Sequence, residues 1–315
     1  MVGTVTRRVR AYFAPVNRVA GVPAVFDAAQ MGWFGLDAPV APWVDLGWCS
    51  KFVRKSGVGG KSGVTAVRTG APAVAQSQVW TEVEATVAVE FANWGKLPLA
   101  LTAGSEQMNL LYTAAGAALN GSGGVAAAAV QLAAGSTATA LSVGAVAAAG
   151  FSVGDLVAVD VDYAGQVGFV GSGASAAYVR QALDVASDVN YVRRVTLNVG
   201  QVVAIAAGVL ELAAPLLAGA PAVGMQVCRV AGFVDREGGR FFQEWSGLFC
   251  MEGEQGDRIF YYYPRLQAMQ GAEEMTEALL APLERVKLAG SFRALPVVDA
   301  NDGATVVCFR SYLPG

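Results

Sequence analysis

From Val79 to Phe91 the chain alternates apolar and polar residues. Val79, Val83, Ala85, Val87, Val89 and Phe91 fall on one side, and Trp80, Glu82, Glu84, Thr86 and Glu90 on the other. A period of two predicts one long β-strand with a buried face and an acidic face, ended by Trp94-Gly95. The last quarter, Phe241 to Val297, alternates in the same way and is rich in aromatics. It predicts further strands, the last of them over residues 284–297. Asp302-Gly303, between LPVV and ATVVCF, predicts a hairpin turn. Nearer the start, Pro15 and Pro23 make residues 1–30 extended and not helical. Trp33, Phe34, Trp43 and Trp48 lie among Gly32, Gly35, Pro39, Pro42 and Gly47. Aromatics among breakers predict short strands and packed loops around a core. One helix is predicted over residues 104–119, with Ser105 as N-cap, Glu106 in the first turn, and Met108, Leu111, Ala115 and Leu119 at helical spacing.

At Asn120 the style changes. GSGGVAAAAVQLAAGSTATA is a low-complexity linker leading into a second unit. From Leu141 to Cys228 short apolar runs alternate with turn residues, which is an all-β pattern. After Val230 the aromatic, alternating style resumes. The fold class read from this is mainly β. Residues 1–119 and 229–315 form a discontinuous antiparallel β-sandwich with one helix, and residues 120–228 form a small, Ala/Gly-rich, all-β domain inserted into it.

Composition sharpens the picture. A chain of 315 residues is long enough for about two domains. With 54% apolar and only 15% charged residues, much of its surface is expected to be buried against other subunits, because interface centres lose charge. The net charge of −3 argues against tight nucleic-acid binding, which needs a basic stripe. Histidine is absent, so the commonest general base and zinc ligand are missing. Cys49, Cys228, Cys250 and Cys308 form no CxxC pair and fit buried thiols made in a reducing compartment. The basic N-terminus is interrupted by Pro15, Asn17 and Arg18 and does not continue into a signal-type apolar run. No stretch reads as a membrane span, so no membrane partner is expected.

Several motifs invite chemistry and fail on inspection. KFVRKSGVGGK, Lys51 to Lys61, resembles a phosphate loop, but the position needing glycine is Lys55. It reads instead as a mobile basic hairpin with Gly59-Gly60 at its tip, between runs ending at Val53 and starting near Val64. GSGASA, Gly171 to Ala176, lacks the acid that a dinucleotide fold places at the end of the next strand. Asp160, Asp162 and Gly165 resemble the start of a calcium loop, but Ala164 and Gly171 stand where ligands belong. Glu273-Glu274 mark a solvated turn or a helix start and not a hydrolase pair. No catalytic residue, cofactor site or metal site is assigned, and the chain is not read as an enzyme.

Ile259–Gln267, IFYYYPRLQ, followed by Glu284–Gly303, ERVKLAGSFRALPVVDANDG, resembles the tail tube proteins of tailed bacteriophages. In that family a strand ending in an aromatic-Pro pair and a final long strand close a β-sandwich. The hairpin region Trp43–Val67, the strand Val79–Phe91 and the helix Ser105–Leu119 are compatible with it. GFSVGDLVAV, Gly150–Val159, resembles β-modules of virion proteins. The chain departs from simple tube subunits in the size of its insertion. The resemblance implies hexameric rings stacked into a tube, with strands of each subunit joining an inner barrel through which DNA passes. The implied partners are further copies of the chain, the tape measure, the terminator, the baseplate and, in a contractile tail, a sheath. The protein would be made in the host cytoplasm and reside in the virion tail. Lys51, Arg54, Lys55, Gly59, Gly60 and Lys61 are then a candidate assembly hairpin docking on a neighbouring ring. Glu82, Glu84 and Glu90 are a candidate lumen face that lets DNA slide. A structural alternative pairs these glutamates with Arg285, Lys287 and Arg293, which share one strand face. The alternative functions are a capsid decoration or baseplate component, or an adhesive or carbohydrate-binding β protein.

Overall fold

Alternation of apolar and polar residues makes strands here almost throughout. The computed structural model describes residues 5–16, 23–40, 42–57, 64–69, 74–80, 84–93, 96–112, 128–160, 198–216, 219–236, 244–254, 256–269, 273–280 and 283–315. The chain begins with β1 (Val5–Pro15), a 3-10 helix (Ala28–Trp33), β2 (Val44–Gly57), β3 (Val64–Thr69), β4 (Val74–Trp80), β5 (Glu84–Phe91) and α1 (Lys96–Ala103). Its middle holds β6 (Glu106–Leu111), β7 (Val130–Gln131), β8 (Ala140–Ser142), α2 (Ala145–Ala148), β9 (Leu156–Asp160), β10 (Val199–Ala206), β11 (Val209–Leu212) and β12 (Gln226–Arg236). It returns through β13 (Glu244–Gly253), β14 (Arg258–Ala268), β15 (Glu273–Leu280), β16 (Leu283–Ala294), β17 (Val297–Val298), β18 (Thr305–Val306) and β19 (Phe309–Leu313). Two compact units result. The first comprises Met1–Asn17, Gly21–Gly104 and Phe242–Gly315, and the second comprises Arg18–Ala20 and Ser105–Phe241.

In the first unit the expected antiparallel sheet closes on itself. Strands β16, β5, β2, β1, β13 and β14 follow one another, and β14 pairs back onto β16 at Leu266–Ala268 against Ala294–Phe292, giving a six-stranded barrel. Alternation fills it. Ala85, Val87, Val89 and Phe91 of β5 are buried, opposite Ala294, Phe292, Gly290 and Leu288 of β16. Phe13 is the hub, with its ring centroid 6.3 Å from Phe91, 5.8 Å from Phe249 and 5.5 Å from Phe292. Such aromatic pairs contribute beyond the area they bury. On the outside of β1, β13 and β14 a second cluster joins Tyr12, Leu248, Cys250, Phe260 and Tyr262 to Phe34, Leu36 and Trp43 of the strap that precedes β2. Both faces of β13 are therefore covered, which explains its unbroken apolar run from Leu248 to Met251.

Polar groups fix that strap. The Tyr262 hydroxyl donates to the Ala24 carbonyl at 2.7 Å, and the Tyr12 hydroxyl to that of Leu36 at 2.9 Å. Arg10 grips Asp45 through Nε at 3.1 Å and Nη2 at 2.5 Å, and reaches Asp37 through Nη1 at 2.6 Å. A bidentate fork of this kind is directional as well as attractive.

The predicted helix over residues 104–119 is not formed in its described part, residues 104–112, and residues 113–119 lie outside the described residues. The helix lies earlier, at Lys96–Ala103, and Glu106–Leu111 is a strand paired with β12. Pro98 occupies the first helical turn, where its missing N–H is no loss. Leu97, Ala100 and Leu101 are buried, and α1 packs against β16 and β14. Gly290 permits this, because a Cβ there would lie 3.3 Å from the Thr102 Cα. Two other expectations change. Of the strand foreseen from Val79 to Phe91, Val79 and Trp80 lie in β4 and Glu84 to Phe91 form β5, while residues 81–83 lie outside the described residues. The aromatic-Pro pair Tyr263-Pro264 lies within β14, opposite a register shift between Trp245 and Gly247, which is where a strand tolerates proline. The turn at Asp302-Gly303 is as expected, with Val297 and Val298 paired to Val306 and Thr305.

The second unit is a sheet in the order β6, β12, β9, β10, β11, β8, with β7 also paired to β12. Its own core gathers Leu132, Leu141, Val143, Phe151, Val157, Val159, Val202, Leu210 and Val227, among others. Its described boundary begins at Ser105 and not at Asn120, because β6 is the partner of β12. Of the stretch 121–140 read as a linker, residues 121–127 lie outside the described residues, but Val130–Gln131 form β7, Leu132 joins the core and Ala140 begins β8, so its described part belongs to the second unit's fold.

Candidate assembly site

The basic stretch from Lys51 is not a hairpin by itself. Lys51 to Gly57 belong to β2 and pair with Glu90 to Glu84 of β5. Val53 and Val64 are not on facing strands, since β3 pairs with β4. The β2–β5 and β3–β4 ladders are two stages of one long hairpin. Its reversal lies between Thr69 and Val74, which are paired, and not at Gly59-Gly60. Glycines at 59 and 60 suggested a tip only because the longer pairing was not visible. Gly59, Gly60, Lys61 and Glu82 lie outside the described residues.

A second long hairpin has the same form. Leu266 to Ala268 pair with Ala294 to Phe292, and Glu273 to Leu280 with Ala289 to Leu283. β14 and β15 are thus successive stages of one leg and β16 is the other. β5 accompanies β16 only from Ala294 to Leu288, where Phe91 ends it. The ribbon of β15 with Leu283–Lys287 therefore runs past the Phe91 end of the barrel wall. The β3–β4 ladder is a two-stranded sheet that follows the Glu84 end of the wall in the chain, across residues 58–63 and 81–83, which lie outside the described residues. Among the described residues β15 pairs only with β16, and β3 and β4 only with each other.

The register also distributes the charges. Arg54 stands opposite Val87 on the inner face of the wall, and its Nε donates to the Tyr263 hydroxyl at 2.9 Å. Burial acts to lower the Arg54 pKa, but neighbouring Tyr263 and Cys308 raise it above its ordinary value, so the group stays cationic. Lys51 and Lys55 are exposed on the opposite face, across from Glu90 and Thr86. Glu90 accepts a hydrogen bond from the Ser50 hydroxyl at 2.5 Å. Glu84 opens β5 opposite Gly57. The face that holds Glu90 is thus mixed in sign. The cross-strand neighbours of Arg285 and Lys287 are Glu277 and Met275, and those of Arg293 are Thr86 and Gln267. No ladder sets these three cations opposite Glu84 or Glu90.

Three of the four cysteines are held as thiols. Burial pushes the thiols of Cys49, Cys228 and Cys250 up to about 12. A thiolate, not a thiol, is the reactive form. Among the described residues no group of three or more His, Cys, Asp or Glu is placed to hold a metal ion, and no helix is long and apolar enough to cross a membrane. GSGASA and Asp162 lie outside the described residues. No known protein family matches the chain, and neither does any curated protein.

Proposed function

We propose that this chain is a tail tube subunit of a tailed bacteriophage, which assembles into stacked rings around a channel for DNA. One observation carries the reading. A ribbon, β15–β16, runs past the Phe91 end of a closed barrel's wall, a second ribbon, β3–β4, follows the wall's Glu84 end in the chain, and among the described residues no further strand pairs with either free length. A two-stranded ribbon alone is marginal in water, and its edges offer unpaired N–H and C=O groups. Strands from further copies satisfy both needs at once. Because the two ribbons differ, such pairing is head-to-tail, the contact type that closes rings. The low charged fraction and the resemblance of Ile259–Gln267 and Glu284–Gly303 to tube proteins support the same reading.

The test is electron microscopy of the purified full chain. Hollow tubes of constant diameter are expected. Particles that stay monomeric at all concentrations, with the barrel folded, would sink the reading.

A further inference from the structure

The second unit has an unusual surface. Among the exposed described positions of residues 128–160 and 198–229, Glu211 is the one charged residue. The others are Ala, Gly, Val, Leu, Pro, Ser, Thr and Gln. Asp155 and Arg229 are half-buried and lie 3.7 Å apart, paired to one another. Soluble domains ordinarily carry charge on about 25–35% of their surface positions. One face concentrates the apolar part. Leu156 of β9 is 45% exposed and stands opposite Gln201 of β10, and Val203, two positions along the same face, is 48% exposed. The turn with Val153, itself 65% exposed, is tied to this face by the Gly154 N–H donating to the Val202 carbonyl at 2.8 Å.

We propose that this face, built on Leu156, Val203 and Val153, is a contact between copies of the chain. Its chemistry selects the occupant. Nucleic acid and anionic membranes need Lys or Arg, and the described residues of the face include none. A charged protein surface would bury its charges without counter-charges, which is costly. A second copy brings an equally uncharged face, so nothing ionic is desolvated when the two meet. The inference rests on the tube reading in one respect, since assembly through the first unit holds neighbouring copies at effective concentrations on the order of millimolar. A weak apolar contact then suffices.

The test uses the full chain with Val203→Cys and follows maleimide labelling at that position by mass spectrometry, dilute and assembled. Labelling is expected to slow by about ten-fold or more on assembly, as for other sites whose exposure requires opening. Adding Leu156→Glu should restore fast labelling while circular dichroism stays native. If tubes form and labelling remains equally fast, the module contact is wrong and the tube reading stands. If no tubes form but protection still rises with concentration and Leu156→Glu abolishes it, the contact stands and the tube reading falls.

Discussion

At the scale of single residues, the stability of each unit depends on a few positions with clear physical roles. Phe13 meets aromatic rings from three other barrel strands, and it is fully buried. Phe13→Ala should cost about 3–5 kcal/mol, because the rings around it cannot all collapse into the space. Denaturant unfolding of the full chain checks this, with loss confined to the transition of the first unit. In the second unit the β10–β11 turn is Ala207-Gly208, with φ of 48° and 80°. Two positive φ values are the signature of a tight hairpin turn that favours Asn-Gly. Ala207→Asn should raise the melting temperature of that unit. Gly208→Ala should lower it, since its Cβ would lie 2.6 Å from the Gly144 carbonyl carbon. Titration adds a further expectation. Burial raises the Tyr262 hydroxyl from 10.0 to about 12, and the Cys49 and Cys250 thiols from 9.0 to about 12. The folded state holds these protons more tightly than the unfolded chain. Their contribution is complete below pH 9 and is lost as pH rises towards 12. Unfolding between those values should coincide with ionisation of Tyr262, read as the tyrosinate absorbance lost in Tyr262→Phe. Tyr262 ionising well before unfolding would contradict the burial.

At the scale of elements, what could be read from the sequence followed the period of the local pattern. The inward residues of β5, Ala85 to Phe91, were legible because a strand with one buried face alternates. The helix was misplaced because Met108, Leu111, Ala115 and Leu119 happen to recur at helical spacing, while Lys96–Ala103 carries a proline. Pairing with β12, more than a hundred residues away, overrides local preference at β6. The same limit hid the two long hairpins. Nothing near Gly59-Gly60 says that Gly57 will pair with Glu84. Arg54 was grouped with Lys51 and Lys55 as a basic patch, and only the register turns it inward to Tyr263. The expected behaviour of the basic stretch is correspondingly split. In free subunits, amides of Lys51–Gly57 should exchange slowly, because they lie in the barrel wall. Amides of β3 and β4 should exchange quickly until assembly protects them. Hydrogen exchange that is slow for both in the free subunit would remove the reason to expect pairing by other copies. The stem of the second unit allows a clean excision. Leu111 and Val230 are direct antiparallel partners, so joining them through Asn-Gly replaces residues 112–229 with a hairpin turn. Tubes of unchanged diameter are expected from this shortened chain. A folded shortened chain that no longer assembles would place the second unit within the ring contact.

At the scale of the whole molecule, charge is scarce and sorted. Among the described residues of 128–160 and 198–229 Glu211 is the one exposed charge, and the outer face of the β2–β5 wall mixes Lys51 and Lys55 with Glu90. If that face lines a channel, acids and lysines nearly cancel, and phosphates slide without capture. Removing the acids alone should upset the balance. Tubes of Glu82→Gln, Glu84→Gln, Glu90→Gln chains should retain DNA at low salt and release it above physiological ionic strength, where screening falls to about 8 Å. The account stands or falls, however, on whether the two open ribbons pair between copies. The direct measurement is a structure of the assembled full chain by electron cryomicroscopy. The account predicts a ring in which the β15–β16 ribbon of one copy is hydrogen-bonded, strand to strand, to a neighbouring copy. A ring in which both edges of that ribbon remain open to solvent would contradict it.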